Sequence, residues 1–266
     1  MVRYRARMLY FLIPAYNEES GIEKQIDSIR TFIAPKGLPF RIVIVDDGST
    51  DTTVEKIRAR DTRGDLTLLI HGQNAGPARA FQTGFSHVLS AAEDKDVVVT
   101  LDADNTHNLR SVQFMLAKID EGYDVALGSI FATGGMLIGV PFLRHCLTIA
   151  ASWVYRLCFP ITGIRSYTGF YRAVSVAALR RAVAAYGDRL IESAGFVVMA
   201  EMLVKFRLIP LFITEVPMIV RYDLKGGASK LKIWRTIKGH LNVIVNNLCA
   251  VQPAAESPTP PPPGDR

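Results

Sequence analysis

Short apolar runs alternate with amphipathic segments through the first half of this chain, and that alternation restricts its fold more than any other feature. The strand-like runs lie at 7–14, 41–47, 66–71, 96–102 and 124–129, and the helix-like segments at 18–33, 52–60, 78–92 and 109–120. Ile22, Ile26 and Ile29 recur at the helical period, while Thr52 and Glu55 have the spacing of a capping box. The alternation is typical of βαβ units, so we predict an α/β fold on a mainly parallel sheet.

The second half of the chain predicts longer helices and fewer strands. We expect a helix over 141–158, a strand leading to a helix near 168–175, a helix over 193–208, a strand over 210–223 bent at Pro217, and a basic amphipathic helix over 228–248. The segment 251–266 is rich in proline and too polar to fold. We therefore expect one domain over residues 1–250, followed by a disordered tail.

Composition limits the classes of function. Hydrophobic residues make up 49% of the 266 positions, which suits one domain with a sizeable core. Cys146, Cys158 and Cys249 lack metal-binding spacing and predict reduced thiols in a cytoplasmic protein. The net charge is +6, but no dense basic cluster is interleaved with aromatic residues. We therefore expect anionic phospholipid or phosphorylated substrates and no nucleic acid.

Membrane contact is expected to be peripheral. The most apolar candidate for a spanning helix, 136–161, is interrupted by charges and prolines. The apolar run near the N-terminus is too short for an export signal. The predicted helix 228–248 has a basic face beside an apolar face, which indicates either a solvated helix or contact with a membrane surface.

Two carboxylates, Asp102 and Asp104, follow the strand-like run at 96–102. On extended chain, side chains two residues apart point the same way, so the pair could share a divalent cation. Oxygen ligands of this kind suit Mg²⁺ or Mn²⁺ that also bridges phosphates. The alternative is a helix-start or turn signal, because Asp and Asn are common helix caps.

Two further strand ends carry polar groups, in the stretches "PAYNEE" (14–19) and "VDDGSTD" (45–51). Tyr16 could stack on a base, and Glu18 could accept a hydrogen bond from a ribose hydroxyl. Each stretch could also be an ordinary turn between a strand and a helix. In open α/β sheets, however, ligands bind beyond the carboxyl ends of the strands. The three motifs together therefore predict a binding site there.

These motifs, in this order, resemble those of family 2 glycosyltransferases with the GT-A fold. The resemblance covers roughly residues 8–240 and is greatest to dolichyl-phosphate (polyprenyl-phosphate) mannose or glucose synthases. Features similar to that subgroup include "NAGPARAFQTGF" (74–85), "TGFYRA" (168–173), "GFVVMAEMLVK" (195–205) and "GGASKL" (226–231). The resemblance implies a nucleotide-sugar-binding half at 8–128 and an acceptor half at 129–250, in a three-layer α/β/α fold.

The resemblance also implies roles for individual residues. The positions matching nucleotide-sugar contacts are Pro14, Tyr16, Glu18, Val45, Asp47, Asn74, Asp102, Ala103 and Asp104. A Mg²⁺ or Mn²⁺ ion would be held at Asp102, Asp104 and Thr106. The reaction would invert the anomeric carbon of a hexose taken from a GDP-mannose or UDP-glucose type of donor. A polyprenyl phosphate acceptor needs little help from a base; a hydroxyl acceptor would need one, for which the candidates are Asp104, Glu201 and His107.

Departures from the family pattern fall on the acceptor side. Ile130 and Leu224 replace two usual arginines, and Arg165–Tyr167 fill a stretch that usually contains aspartate. Positive charge for an acceptor phosphate would then come from Arg144, Arg221, Lys225 and Lys230. We expect a polyprenyl phosphate acceptor at the cytoplasmic membrane face, reached directly or through a membrane partner protein. A different lipid or small hydroxylated acceptor, and a degenerate module that only binds nucleotide, remain alternatives.

Overall fold

The structure is a computed structural model of the chain and describes residues 7–224 and 233–248. The strands are β1 (Leu9–Ala15), β2 (Phe40–Asp46), β3 (Leu66–Ile70), β4 (Val97–Thr100), β5 (Val125–Ser129), β6 (Met136–Ile138), β7 (Arg172–Ser175), β8 (Ile213–Pro217) and β9 (Ile219–Arg221). The helices are α1 (Ile22–Ile33), α2 (Thr53–Arg60), α3 (Pro77–Ala91), α4 (Arg110–Asp120), α5 (Phe142–Cys158), α6 (Val176–Tyr186), α7 (Val198–Phe206) and α8 (Ile233–Leu248). The predicted tail, and the first residues of the predicted helix 228–248, lie outside the described residues.

Seven strands form one twisted sheet in the order β3-β2-β1-β4-β7-β5-β8. Only β7 runs antiparallel to its neighbours β4 and β5, so the predicted mainly parallel sheet is confirmed. Helices α1, α2 and α4 cover one face, and α3, α5, α6, α7 and α8 the other. A small sheet of β6 and β9 lies apart from the main one. Both predicted halves of the chain therefore contribute strands to a single sheet.

Strand β1 shows why these apolar runs become central strands. Leu9, Phe11 and Ile13 belong to the core under α1 and α4, whereas Tyr10 and Leu12 belong to the core under α3. Alternate side chains of a strand point to opposite faces of the sheet. A strand covered on both faces must therefore be apolar throughout, and β1 carries its polar residues only beyond its carboxyl end.

Two local predictions fail in informative ways. Thr52 precedes α2 but does not form the expected capping box. Its hydroxyl donates to Glu19 Oε2 at 2.6 Å and accepts no hydrogen bond from the backbone of α2. The predicted helix over 193–208 begins only at Val198, and residues 193–197 form a loop. The predicted bend at Pro217 is confirmed: β8 ends there, and β9 leaves the main sheet to pair with β6.

Helix α8 docks on the body through a small buried patch. Val243 and Ile244 are buried, and a Cβ added to Gly239 would lie 3.1 Å from the Val197 side chain. His240 Nδ1 lies 2.9 Å from the Tyr155 hydroxyl of α5. Burial lowers the pKa of His240 to about 4, so the imidazole is neutral when α8 is docked.

We expect this histidine to make stability fall between pH 6.5 and pH 4. The unfolded chain takes up a proton near pH 6.5, whereas the folded chain takes it up only near pH 4, so acid favours unfolding in that window. The loss should reach about 1–3 kcal/mol, at 1.36 kcal/mol for each unit of pKa shift. His240→Gln should show a smaller loss of melting temperature between pH 7 and pH 4 than wild type.

Carboxylates also titrate in this range, so the comparison requires a matched variant. His145 is exposed on α5, and His145→Gln should retain the full pH dependence of wild type. Equal pH dependence in His240→Gln and His145→Gln would contradict the assignment.

Candidate active site

The three predicted motifs meet at one edge of the sheet. β1 is parallel to both β2 and β4, with Pro14 beside Val45 and Leu12 beside Thr100. Their carboxyl ends, and the loops that follow them, are therefore neighbours, as expected for the ligand edge of an open α/β sheet.

The loops after β1 and β2 are joined by reciprocal hydrogen bonds. The Asn17 N–H donates to Ser49 Oγ at 2.8 Å, and Asn17 Oδ1 accepts from the Thr50 N–H at 2.7 Å. The Glu18 N–H donates to Thr53 Oγ1 at 2.8 Å. Asn17 has a φ of 52°, a left-handed conformation that asparagine tolerates better than most residues. The two loops are thus held together by hydrogen bonds on either side of Tyr16 and Glu18. Both of these residues are partly exposed.

Asp47 fixes the next loop along the same edge. Its carboxylate accepts from the backbone N–H groups of Ala75 at 3.0 Å and Gly76 at 2.7 Å, and it lies 2.7 Å from His71 Nδ1. These contacts hold the 71–76 loop, on which Asn74 is exposed. Asp47 therefore shapes the site through this loop.

Some predicted contact residues are placed in the core. The side chains of Val45 and Ala103 are buried in the two hydrophobic clusters. Their assignment as nucleotide-contacting positions stays a prediction, and burial of the side chains leaves the backbone as the part of each residue that could make the contact. Pro14 is partly exposed at the end of β1.

The Asp102–Asp104 pair lies on a turn, which corrects the expectation of extended chain. Asp104 Oδ1 accepts from the Thr106 hydroxyl at 2.7 Å and from its N–H at 3.2 Å, and Asn105 adopts a φ of 57°. Asp104 is buried, whereas 37% of the Asp102 side chain is exposed. Here Thr106 acts as a donor that orients Asp104, and its role as a metal ligand stays a prediction.

Asp102 and Asp104 by themselves offer too few ligands to enclose a metal ion. Within residues 7–224 and 233–248, no group of three or more His, Cys, Asp or Glu side chains could enclose a metal ion. Mg²⁺ is commonly held by one or two carboxylates together with substrate phosphates and water. The donor set at Asp102 and Asp104 suits that mode of binding.

Contacts distant in sequence support this turn, and no sequence signal indicated them. The His107 ring stacks on Tyr171 with centroids 4.8 Å apart, and its Nε2 lies 3.8 Å from Asp102 Oδ2. The Arg221 N–H of β9 donates to the Thr106 carbonyl at 2.8 Å. Strand β9 and Tyr171 thus support the 102–106 turn through contacts that no local sequence pattern indicates.

The predicted acceptor-side cations are only partly described. Arg144 Nη1 donates to the Tyr222 hydroxyl at 2.9 Å, and its guanidinium lies 5.0 Å from the centre of that ring. Arg221 is paired with Asp223 at 2.7 Å on the surface. Lys225 and Lys230 lie outside the described residues. Arg144 of α5 therefore bonds to Tyr222, the residue that directly follows Arg221 at the end of β9.

Glu201 is only 2% exposed on α7 and lies 2.7 Å from Lys205 Nζ. Its carboxylate also accepts from the backbone N–H groups of Glu192 and Ser193. These contacts occupy both carboxylate oxygens, so they favour a structural role for Glu201 over that of a base.

Comparison with known proteins identifies the family to which the chain belongs. Residues 10–185 match the model of the family described as glycosyl transferase family 2. Dolichol-phosphate mannosyltransferase of Pyrococcus furiosus is 30% identical over 223 residues, which are 83% of this chain but only 58% of that relative. The chain thus spans less than two thirds of the relative's length.

Solved structures support the same fold. Glucosyl-3-phosphoglycerate synthase from Mycobacterium tuberculosis, in complex with Mn²⁺, UDP and phosphoglyceric acid, matches with a TM-score of 0.64 and 21% identity, over 92% of this chain and 80% of that one. Its complex with Mg²⁺ and UDP matches with a TM-score of 0.62 and 20% identity, over 92% and 80%. Since the family match covers more than half of the chain and the sheet has the GT-A arrangement, this protein belongs to glycosyl transferase family 2.

Proposed function

We propose that the protein is a metal-dependent inverting glycosyltransferase that moves a hexose from a nucleotide sugar to a polyprenyl phosphate. The donor would be of the GDP-mannose or UDP-glucose type, and the reaction would occur at the cytoplasmic face of a membrane. The observation that carries the proposal is the convergence of the 14–19, 45–51 and 102–106 loops at one edge of the sheet. The similarity to a dolichol-phosphate mannosyltransferase supports this acceptor class.

The donor site would use groups that are already held in place. Tyr16 offers a ring for stacking on the base, and Glu18 offers an acceptor for a ribose hydroxyl. Asp102 and Asp104 would hold a Mg²⁺ or Mn²⁺ ion, which when bound would neutralise charge on the diphosphate leaving group. The turn at Thr106 keeps Asp104 oriented before the donor arrives.

The transfer would be one in-line displacement at the anomeric carbon. An oxygen of the acceptor phosphate forms a new bond to the anomeric carbon. At the same time the bond between that carbon and the nucleotide diphosphate breaks, so the configuration at the carbon inverts. The phosphate is already anionic and needs no proton removed. Arg144 and Arg221 would attract it, and the Tyr222 hydroxyl fixes the Arg144 guanidinium.

An apolar surface on α5 and α8 supports direct contact with a membrane. Its exposed apolar side chains, which define the α5–α8 face, are Phe142, Leu143, Trp153, Leu157, Trp234, Leu241, Val245 and Leu248. Neither helix contains an acidic residue, and both carry basic ones. Such a combination suits the boundary of an anionic bilayer. Among the described residues, every helix is too short or too polar to cross a bilayer.

Charge placed on this face should release the protein from membranes. Leu157 is 77% exposed and Trp234 is 82% exposed. The double variant Leu157→Glu/Trp234→Glu should bind vesicles of phosphatidylcholine and phosphatidylglycerol at least about 100-fold more weakly, since burying each side chain is worth about 1.5–3 kcal/mol. Vesicle co-sedimentation measures the partition.

Phe114 provides the matched control, because it is 53% exposed on α4, on the opposite layer. Phe114→Glu should bind vesicles as wild type does. Equal losses in both variants would refute the α5–α8 face as the contact. A wild-type protein that does not bind vesicles would favour docking through a membrane partner protein.

A turnover screen tests the proposed function. Purified protein would receive GDP-mannose, UDP-glucose and related donors with Mg²⁺ or Mn²⁺, with and without a polyprenyl phosphate. Release of nucleoside diphosphate that depends on the lipid phosphate is the expected result. Turnover only with a hydroxylated acceptor would favour the alternative suggested by Ile130 and Leu224, which remove two arginines from the family pattern. Nucleotide binding without any turnover would indicate a degenerate module.

A further inference from the structure

A buried ion pair lies at the base of the loop that precedes α7. Glu201 and Lys205 are one helical turn apart, are 2% and 4% exposed, and approach to 2.7 Å. Buried charges of this kind persist when their remaining hydrogen-bonding capacity is also used. The partners of the two side chains therefore show what the pair holds.

Nearly all of those partners belong to the 191–197 loop or to the turn before it. The Glu201 carboxylate accepts from the N–H groups of Glu192 at 3.0 Å and Ser193 at 2.9 Å. Lys205 Nζ donates to the Glu192 carboxylate at 2.8 Å and to the Arg189 carbonyl. The pair thus fixes the start of this loop and does not face an open cleft.

Helix α3 also holds the start of this loop, and the later part of the loop approaches the donor edge. Gln82 of α3 donates from Nε2 to the Ile191 carbonyl at 2.8 Å. The Phe196 ring stacks on Phe170 with centroids 5.9 Å apart. A Cβ added to Gly76 would lie 3.9 Å from the Gly195 nitrogen. The 191–197 loop therefore borders the 71–76 loop, which Asp47 holds at the proposed nucleotide site.

We propose that Glu201 is a positioning residue, which acts with Lys205 and Gln82 to hold the 191–197 loop against the 71–76 loop and so sets the affinity for the nucleotide. This inference rests on the proposed function and assigns Glu201 a role other than proton transfer. The physical reason is that both carboxylate oxygens already accept hydrogen bonds from the loop and from Lys205.

Binding of UDP and GDP in the presence of Mn²⁺, measured by calorimetry, tests this role without any acceptor. Gln82→Ala removes one anchor of the loop, and Glu201→Gln/Lys205→Met removes the other without leaving a single buried charge. Each variant should weaken nucleotide binding about tenfold and raise the KM of the donor, because small displacements of binding groups have large effects. The dependence of kcat on pH should not change in Glu201→Gln.

Gln113 on α4 lies in the opposite layer of helices, so Gln113→Ala is the matched control and should bind nucleotide as wild type does. Melting temperatures would show that each variant is folded. Unchanged nucleotide affinity in Gln82→Ala and in the paired variant would overturn the inference while leaving the proposed function standing. Loss of kcat in Glu201→Gln, with nucleotide affinity retained and one ionisation missing from the pH profile, would instead identify a base. Wild-type protein that binds neither nucleotide would overturn the proposed function and this inference together.

Discussion

Asp104→Ala is expected to lower kcat/KM for glycosyl transfer by about 1,000-fold or more, because a metal ion supplies several kcal/mol of charge stabilisation in reactions of this class. Asp104 is buried at the turn after β4 and accepts two hydrogen bonds from Thr106. Asp104→Asn should lose nearly as much activity, because the amide oxygen can still accept from Thr106 while the negative charge is gone. Nucleoside diphosphate release measures the rate, and calorimetry with Mn²⁺ measures binding of the ion.

The control for this pair of variants is Asp94→Asn. Asp94 is an exposed carboxylate that pairs with Arg180 at 2.9 Å, away from the donor edge. It should keep full activity and Mn²⁺ affinity. Activity within a few-fold of wild type in Asp104→Asn would show that the carboxylate charge is not needed and would refute the proposed metal site.

Gly21→Ala is expected to reduce activity by about 10- to 100-fold while the protein stays folded, because the 102–106 turn must shift by a few tenths of an ångström and a displacement of about 1 Å in a catalytic group costs about 100-fold. A Cβ at position 21 would lie 3.0 Å from the Cα of Asp104 and 3.1 Å from the Ala103 carbonyl oxygen. Both are backbone atoms and cannot rotate away, so the 102–106 turn must move. Gly21 has a φ of −118°, which alanine adopts freely, so steric contact is the only penalty. Steady-state rates measure the loss of activity, and the melting temperature shows whether the protein stays folded.

Gly72→Ala is the matched substitution for this test. A Cβ at position 72 would meet no atom within 4 Å, although the residue lies on a loop of the same edge. It should leave both rate and stability close to wild type. If Gly21→Ala kept wild-type kcat/KM, the 102–106 turn would tolerate displacement, and its preorganisation would not be part of catalysis.

The sequence predicted the elements that repeat a simple pattern. The apolar runs of β1, β2 and β4 were located within two residues of each observed end, because strands buried on both faces leave continuous apolar stretches. The three polar motifs were placed at one edge for the same reason, since parallel neighbours end together. The position of Glu18 and Asp102 at this edge depends only on the register and could therefore be predicted.

What could not be predicted depends on contacts between distant residues. Thr52 looked like a capping residue, but Glu19 lies 33 positions away and takes its hydroxyl. Glu201 looked like a candidate base on an apolar helix, until its ion pair with Lys205 and its bonds to the preceding loop were known. Local patterns report periodicity and turn chemistry, whereas such pairings exist only after the chain has folded.

The position of β7 has a consequence for how the chain folds during synthesis. β4 meets β5 only through β7, which comes about 70 residues later in the chain, as the register Val99↔Ala173 shows. Until that segment has emerged, β4 is an open edge of the sheet and β5 has no strand partner, because β5 pairs only with β7 and β8; unpaired strand edges are templates for aggregation. A nascent chain of which residues 1–128 have left the ribosome would hold all three donor motifs on an unfinished sheet. Chaperones that shield strand edges would therefore be needed most in the interval between synthesis of β5 and synthesis of β7.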